Sequence, residues 1–285
     1  MDIDQARTFL AITAHGSFLE ASRQLHLTQS TVSARIQRLE EELGARLFVR
    51  NRSGASLTPA GRRFLDYAKR LVLTADQARD DVGLPERYRA SLRIGGRIAL
   101  WEGFLPQWVG WMRQRASDVV IHSDIGFEAD LMRSLIEGNL DIGLMYTPSH
   151  SPGLIVEHLF DETLVLVSSR PDDSGPREDY VYIEWGPGFY AQHAQSYPDL
   201  ERPPQIANIG WLGIQLILEN GGSCFLPARM ASSFISAGRL HRVAGTPKYV
   251  LPAYMVYPRE TDNPVLEQAV AGLRELAQQV KEAAG

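Results

Sequence analysis

The sequence predicts a short helical N-terminal domain, a long connecting helix and a larger α/β domain made of two lobes. Apolar residues recur at spacings of three or four along residues 1–43, which is typical of short helices packed on one core. A 3.5-residue apolar spacing follows over residues 64–82, as in a helix that packs against another helix. Beyond residue 90, apolar strand segments alternate with amphipathic segments, which predicts a parallel sheet with helices on its faces.

Length and composition are those of a globular protein with two or three domains. The chain has 285 residues, of which 44% are hydrophobic and 22% are charged. The single cysteine, Cys224, excludes a disulfide within the chain and a multi-cysteine metal site. We expect neither a metal nor a cofactor. No apolar run reaches the ~18 residues of a membrane span, so we expect a cytoplasmic protein without a membrane partner.

Charge is distributed unevenly along the chain. Residues 1–90 hold 14 basic and 11 acidic side chains, a net charge of +3, whereas residues 91–285 hold 15 and 23, a net charge of −8. The basic excess at the front indicates that only this part of the chain meets an anionic partner.

Breaks and caps divide the first 58 residues into three helices and a hairpin. Gly16 and Ser17 separate the first two helices. Thr28 is expected to be the N-cap of the third, and Gly44 is expected to end it. Residues 47–57 then predict two short strands with a turn between them.

This order of elements predicts an all-α winged helix-turn-helix. The second helix of such a motif enters the major groove of DNA with its N-terminus first, so its early side chains must reach base edges. Glutamine can form a bidentate pair with adenine, and arginines add affinity through phosphates. The candidate DNA-binding residues are Gln29, Ser30, Thr31 and Ser33 for bases, Arg35 and Arg38 for phosphates, and Arg50 and Arg52 beside the hairpin turn.

A long linker helix is predicted to begin at Thr58-Pro59, with threonine as the cap and proline at the first helical position. Its apolar residues follow steps of four and three, and either an ordinary core helix or a dimerisation seam fits that spacing. Its position between two domains favours the seam. The predicted dimerisation residues are Phe64, Ala68, Leu71, Ala75, Ala78 and Val82.

Three domains follow from these patterns. They are a DNA-binding domain at residues 1–58, a linker helix at residues 59–88 and an α/β domain at residues 89–285. Within the last, lobe I is predicted at about 89–161 and 260–285, and lobe II at about 162–259. Two α/β units joined by long strands would leave a cleft between the lobes.

The chain resembles the LysR-type transcriptional regulators. The resemblance covers the whole chain and is strongest over residues 3–66, with Ser22 as one departure from the family pattern. The residues that carry it are Phe9, Gly16-Ser17-Phe18, Ala21, Leu25, Gln29-Ser30, Val32-Ser33, Ile36, Leu39-Glu40, Leu43-Gly44, Leu47-Phe48, Arg50 and Leu57-Thr58-Pro59-Ala60-Gly61. The resemblance implies a dimer or tetramer on double-stranded promoter DNA in the nucleoid, with RNA polymerase as a further partner.

The resemblance also implies a C-terminal domain like a periplasmic binding protein, with a small-molecule effector between its lobes. Such clefts place ligands at strand ends and helix N-termini. Many relatives carry hydroxyl residues where Ala99 and Glu128 stand, so the charge of the effector stays open. Arg97 would attract an anion, Glu128 as a helix cap would repel one, or the two side chains pair with each other. The other candidates in these loops are Ile98, Tyr146 and Thr147.

Two tryptophan motifs, Leu100-Trp101-Glu102 and Glu184-Trp185-Gly186-Pro187, resemble a LysR subgroup that includes a repressor of flagellar master genes. Trp101 and Trp185 either line the cleft or pack in the core. Trp-Gly-Pro-Gly predicts a rigid turn that presents an indole. Gly222 is expected to turn backbone amides towards the cleft, and Cys224 is expected to be buried and structural.

Two functional hypotheses follow. The first is a DNA-binding regulator controlled by an effector in the cleft. The second is a DNA-binding repressor whose C-terminal domain is a ligand-free scaffold. An enzyme is excluded by the lack of a phosphate loop, a Gly-x-Ser-x-Gly motif or a spaced histidine and carboxylate set. Among seven scattered histidines, His193 near Trp185 is the one to follow.

Overall fold

A computed structural model describes residues 1–51, 54–200 and 205–284. The contacts divide the chain into two compact units, Met1–Pro85 and Glu86–Gly285. The predicted linker helix is not a separate body, because it packs on α1 of the first unit. The helices and strands of the first unit are α1 (Ile3–His15), α2 (Phe18–Gln24), α3 (Gln29–Leu43), β1 (Phe48–Asn51), β2 (Gly54–Leu57) and α4 (Pro59–Val82).

The helix boundaries of the first unit are set by local caps, which include the predicted ones at Thr28, Gly44 and Thr58. Ser17 and Thr28 accept backbone N–H groups at the starts of α2 and α3. Gly16 and Gly44 end α1 and α3 in the left-handed conformation, with φ of 62° and 64°. Thr58 likewise caps α4 by accepting from the backbone N–H of Gly61 at 2.9 Å.

The core of the first unit is aromatic at its centre. The ring of Phe9 on α1 lies 5.1 Å from that of Phe48 on β1 and 5.0 Å from that of Phe64 on α4. Buried Glu40 accepts from the backbone N–H of Leu47 at 2.7 Å and pairs with Arg46. This carboxylate therefore fixes the connection from α3 to the hairpin.

The second unit is built on a curled mixed sheet of seven strands in the order β10-β6-β11-β5-β3-β4, with β9 also paired to β6, and a separate pair β7-β8. Its elements are β3 (Ala90–Gly96), α5 (Ile98–Trp101), α6 (Leu105–Arg115), β4 (Val119–Ile125), α7 (Glu128–Ile136), β5 (Ile142–Met145), β6 (Leu154–Ser168), β7 (Val181–Ile183), α8 (Pro187–Ser196), β8 (Gln205–Ala207), α9 (Gly210–Asn220), β9 (Ser223–Pro227), α10 (Ala228–Ser236), β10 (His241–Arg242), β11 (Tyr249–Pro258) and α11 (Leu266–Ala284).

The sheet is parallel only in part, which corrects the expected parallel sheet. β3 pairs in parallel with β4 and β5, and β7 with β8. The pairs made by β6 and β11 are antiparallel. The reason is that the long strands β6 and β11, of 15 and 10 residues, run in opposite directions, and β11, although within the predicted bounds of lobe II, also pairs with β5 of lobe I. These two strands connect the lobes.

The Trp-Gly-Pro-Gly segment was predicted to be a rigid turn, but in the structure it leads into the start of α8. Gly186 is the N-cap residue, with φ of 110°, and Pro187 occupies the first turn of the helix. Proline is favoured there because its missing N–H has no partner inside a helix in any case. Helix α8 and the short helix α5 were not predicted from the sequence. No helix in the described part of the chain is long and apolar enough to span a membrane.

Candidate functional site

Helix α3 has one apolar face and one polar face. Val32, Ile36 and Leu39 are buried in the core of the first unit, at the i, i+4, i+7 spacing of a helix face. Gln29 and Ser30, at the N-terminus of the helix, are exposed. The side chains predicted to reach base edges therefore lie on the solvent side of α3, where a DNA groove could be met.

The first turn of α3 is ordered by a network of hydroxyl groups. Thr28 Oγ1 lies 2.9 Å from Ser30 Oγ and 2.8 Å from Thr31 Oγ1, and it accepts from the backbone N–H of Thr31 at 3.2 Å. Ser33 is half-buried one turn further along. The network holds two predicted base-contacting hydroxyls in fixed positions before any partner arrives.

The two phosphate candidates on α3 differ in their surroundings. Arg35 donates to Asp4 Oδ2 at 2.7 Å and to Thr8 Oγ1 at 3.4 Å, so it ties α3 to α1. Arg38 is exposed. Arg38 is therefore the better candidate for a phosphate contact, and the predicted phosphate role of Arg35 would require its release from Asp4.

The turn from α2 to α3 and the hairpin are held by backbone contacts. His26 in the turn has a left-handed backbone with φ of 53°, which a non-glycine residue adopts only at a cost. Ala55 of the hairpin donates its N–H to the carbonyl of Gly16 at 2.7 Å. A Cβ on Gly54 would lie 2.3 Å from that same carbonyl oxygen, so only glycine allows this close approach. Arg52 and the side chain of Arg50 lie outside the described residues.

The linker helix α4 carries an apolar groove within the first unit, of about 820 Å³. Of the predicted seam, Phe64, Leu71, Ala75 and Ala78 line it. The prediction of Ala68 as a dimerisation residue is corrected, because its side chain is fully buried in the core of its own unit. Tyr67, which the sequence analysis missed, lines the groove and is 58% exposed. Val82 is exposed.

In the second unit, Arg97 is buried where the two predicted lobes meet. Its Nη2 donates to the backbone carbonyl of Asn208 at 3.2 Å, and its Nε lies 3.4 Å from Glu128 Oε1. Its guanidinium also lies over the ring of Phe127, 4.6 Å from the centroid. The predicted pairing of Arg97 with Glu128 is thus present. Glu128 is the first residue of α7, however, and its N-cap is Phe127.

A second arginine, half-buried and not predicted from the sequence, crosses the same boundary. Arg229 on α10 forms an ion pair with Glu162 on β6, which is 4% exposed. Arg229 Nη2 also donates to the carbonyl of Ala99 at 2.9 Å, and its Nη1 donates to that of Glu102. The only sequence signal was a charged residue at the start of a helix after a buried strand. Pairing across more than 60 residues cannot be deduced from one sequence.

Tyr146 and Trp185 pack against each other across the lobes. Their ring centroids are 6.1 Å apart in an edge-to-face arrangement. Burial, and then the neighbouring Glu162, raise the pKa of the Tyr146 hydroxyl well above its usual value. Trp185 is buried and donates its Nε1–H to the carbonyl of Phe225 at 2.8 Å. Of the two alternatives for Trp185, core packing is the one the structure has.

The remaining cleft candidates are only partly brought together. The side chain of Ala99 is buried in the core, so only its carbonyl faces Arg229. Trp101 is half-buried and donates its Nε1–H to the carbonyl of Asp124 at 2.9 Å. Ile98 is half-buried, and Thr147 is exposed beside Gly186. These residues border the buried charges.

Gly222 does not belong to the cleft, which corrects the prediction. It precedes the end of β9 that pairs with Ser168, whereas the opposite end of β9 leads into α10 and Arg229. A Cβ at Gly222 would lie 2.2 Å from the carbonyl oxygen of Asp179. Glycine is therefore required at position 222 because the backbone of Asp179 packs closely against it, away from the cleft.

His193 and Cys224 are buried in the core of lobe II. His193 Nε2 lies 3.0 Å from Tyr180 Oη, and burial lowers the pKa of the imidazole. Burial raises the pKa of the Cys224 thiol, so it is unreactive at neutral pH. Within the ranges that the structure describes, no cluster of three or more metal-ligating side chains is present.

Two known domain families match this chain. Residues 3–62 match the bacterial regulatory helix-turn-helix protein, lysR family. Residues 85–278 match the LysR substrate binding domain. The second match alone covers more than half of the chain.

Relatives named as transcriptional regulators are similar over most of the chain. An HTH-type transcriptional regulator HdfR from Yersinia enterocolitica is 31% identical over 278 residues, which cover 93% of this chain and 94% of the relative. The protein of the same name from Escherichia coli O45:K1 is 32% identical over 272 residues, covering 93% and 95%.

Solved structures of LysR regulators share the fold. CbnR, a LysR family transcriptional regulator, superposes with a TM-score of 0.76 at 19% identity, covering 97% of this chain and 99% of CbnR. Full-length CbnR complexed with its target DNA has a TM-score of 0.74 at 19% identity, covering 97% and 100%. ArgP from Mycobacterium tuberculosis has a TM-score of 0.60 at 23% identity, covering 97% of each chain.

Proposed function

Because the chain belongs to the LysR family of DNA-binding transcriptional regulators, we propose that it reads its operator with the N-terminal turn of α3. The observation that carries this proposal is that Gln29 and Ser30 are exposed at the start of α3, where Thr28 orders the hydroxyls of Ser30 and half-buried Thr31. Gln29 and Ser33 would contact bases, whereas Arg38, Arg50 and Arg52 would contact phosphates.

The salt dependence of DNA binding tests this division of roles. Arg38→Ala should weaken binding to every sequence alike and reduce the slope of log K against log salt by about 1. Arg133→Ala, an exposed arginine in the second unit, is the matched control and should leave the slope unchanged. If the slope is unaltered in Arg38→Ala, Arg38 does not contact DNA phosphates.

We further propose that the groove on α4 is covered by α4 of a second copy. Tyr67, Leu71, Ala75 and Ala78 present an apolar stripe at helical spacing with no cover from the described part of their own unit, and such a stripe favours helix–helix association. Ala75→Glu would place a charge in this stripe. Light scattering should then show a smaller assembly, whereas Lys69→Glu, on an exposed face outside the groove, should not change the mass.

The interlobe boundary is the proposed effector site. Among the described residues, the buried Arg229 Nε has no hydrogen-bond partner, and the buried Arg97 Nε has the ion pair with Glu128 at 3.4 Å but no hydrogen bond. Buried donors of this kind are costly unless a ligand or water satisfies them. The groups left over are N–H donors. We therefore propose an effector that presents acceptor oxygens, such as a small carboxylate, at Arg97, Arg229 and Tyr146.

A specific observation favours the alternative of a ligand-free scaffold. Arg97 of lobe I already donates to Asn208 of lobe II, and Arg229 of lobe II donates to Ala99 and Glu102 of lobe I. These bonds join the lobes without a ligand. A domain closed in this way could serve assembly alone.

Thermal unfolding of the full chain with a panel of carboxylates, amines and sugars separates the two. An effector stabilises the folded state according to its concentration relative to Kd, and Arg97→Lys, which keeps the charge but loses the guanidinium, should abolish that shift. Arg133→Lys is the control. A panel without any stabilising compound, together with unchanged DNA affinity, would favour the scaffold.

A further inference from the structure

The Glu184–Phe189 segment has a second face that the DNA-binding and cleft functions do not use. On that face a pocket of about 720 Å³ lies in lobe II, outside the interlobe boundary. Its principal walls are Tyr182, Glu184, Pro187, Tyr190, His193 and Tyr197. The pocket is open to solvent at Tyr190, which is 65% exposed.

The aromatic walls are held in place by stacking beneath them. The ring of Tyr182 stacks on Phe189 with centroids 5.6 Å apart and meets the edge of His193 at 5.3 Å. Tyr197 lies 5.3 Å from the other side of His193. His193 in turn is fixed by its hydrogen bond to Tyr180. These contacts give the pocket two rigid tyrosine walls on one buried imidazole.

The described residues that line the pocket carry a net negative charge. Glu184 is an exposed carboxylate at its edge, and the described residues that line it include no lysine or arginine. Burial lowers the pKa of His193, so the imidazole is neutral at physiological pH. Burial, and then the proximity of Glu184, raise the pKa of Tyr182 to about 12, so its ring also carries no charge. An anion has no cationic partner among the described residues that line the pocket.

We propose that this pocket binds an organic cation with an alkylammonium or quaternary ammonium group, seated between Tyr182, Tyr190 and Tyr197 and paired with Glu184. Tyrosine faces attract cations through the ring quadrupole, and several rings around one ammonium group are a known mode of recognition. The carboxylate adds the opposite charge. This inference is independent of the effector proposed for the cleft, because it uses none of the cleft's side chains.

The position of the pocket connects it with the cleft through the chain itself. Glu184 is followed by Trp185, which packs on Tyr146, and by Gly186, which lies against Thr147. A cation that fixes Glu184 and the start of α8 would therefore restrain the residues that contact lobe I. The pocket would then be a second ligand site that affects the same contacts between the lobes.

Calorimetric titration of the full chain with choline and with 3,3-dimethylbutan-1-ol tests the proposal, because the two probes differ only in the charged centre. Choline should saturate in the millimolar range, and the neutral alcohol should bind at least ~10-fold more weakly. Glu184→Gln and Tyr190→Ala should each weaken choline about 5-fold or more. Both side chains are exposed, so both variants should fold.

Matched controls lie on the same lobe outside the pocket. Glu219→Gln and Trp211→Ala replace an exposed carboxylate and an exposed aromatic and should bind choline as the unaltered chain does. Equal affinity for the two probes would overturn the cation class. Absence of saturation by about 100 mM choline, or equal loss in the control variants, would overturn the site. Arg97→Lys should leave choline binding intact, which separates this result from the fate of the effector cleft.

Discussion

Gln29 and Ser30 on α3 face solvent, whereas Arg97 and Glu162 at the interlobe boundary are almost fully buried. Both regions depend on polar side chains, but different interactions position and solvate these side chains in each region. On α3 the helix itself positions the side chains, and water solvates them until a partner arrives. Inside the second unit every charge needs a partner from another element, since an unpaired buried charge is very costly.

The difference teaches where the energy of each site resides. The α3 face can be changed with little effect on folding because it contributes no packing. The interlobe boundary combines binding groups with structural ones, so a change there alters stability and ligand response together. The predictions below extend this contrast to other positions in the two units, and each is tested by a property of its own.

The largest effect is expected at the buried ion pair. Arg229→Met leaves Glu162 buried without its cation and should lower the unfolding free energy of the second unit by about 3–5 kcal/mol. All five tryptophans lie in this unit, so urea unfolding followed by tryptophan fluorescence reports on it alone. The double variant Glu162→Leu/Arg229→Met should recover most of the loss. If the double variant does not recover this stability, the pair contributes more to folding than the mutual neutralisation of its two charges.

The pH dependence of that loss is a further check. Burial already raises the pKa of Glu162, and Arg229 opposes this rise. Without Arg229, the folded-state pKa of Glu162 rises further above its unfolded value, and the folded state then takes up the proton first. The deficit of Arg229→Met should therefore shrink as the pH falls towards that pKa.

Gln29→Ala should have a moderate effect on recognition and almost none on folding. Loss of a bidentate contact should reduce discrimination between the cognate base and the others by about 1–3 kcal/mol, while stability changes by less than about 0.5 kcal/mol. Binding to operator variants, measured by fluorescence anisotropy at fixed salt, provides the comparison. Gln37→Ala, exposed on the same helix, should retain full discrimination.

The contrast also explains how far the sequence could be interpreted. The break at Gly16 and Ser17, the N-cap at Thr28, the glycine at position 44 and the start of α4 were predicted correctly, because each depends on neighbours within a few residues. The polar face of α3 is likewise a local pattern. Periodicity also predicted the linker helix, but it could not tell that Ala68 faces the unit's own core.

The interlobe site was predictable only in part. Arg97 and Glu128 were found because they follow strand ends, and their pairing was one of the predicted alternatives. Arg229 and Glu162 were missed because they are 67 positions apart in the sequence and nothing local distinguishes either residue. Gly222 was misplaced because the direction of β9 relative to the cleft depends on its antiparallel pairing with β6. Such long-range pairing leaves no signal in one sequence.

Acid should destabilise the second unit through His193. Burial lowers the folded-state pKa of this imidazole, so below about pH 6.5 the unfolded state takes up a proton that the folded state does not. Stability should therefore be unaffected above that pH and fall below it, by at most about 1.4 kcal/mol per pH unit. His193→Phe should reduce this acid sensitivity. Urea unfolding followed by tryptophan fluorescence at pH 8 and pH 5 measures this sensitivity. An equal pH dependence in the unaltered protein and in His193→Phe would contradict the role of His193 in acid destabilisation.

The smallest effect is expected at His26, where the first unit stores energy in one backbone torsion rather than in charge. Its φ of 53° is fixed by the bond from the N–H of Leu27 to the carbonyl of Ser22 at 2.9 Å, and the left-handed conformation costs a non-glycine residue roughly 1–2 kcal/mol. Glycine removes that cost but gains freedom in the unfolded chain. His26→Gly should therefore stabilise the first unit by less than about 1 kcal/mol, whereas His26→Ala, which keeps a Cβ, should not. Amide exchange of the buried core positions of α3 resolves a change of this size, and equal exchange in both variants would show that the turn carries no strain.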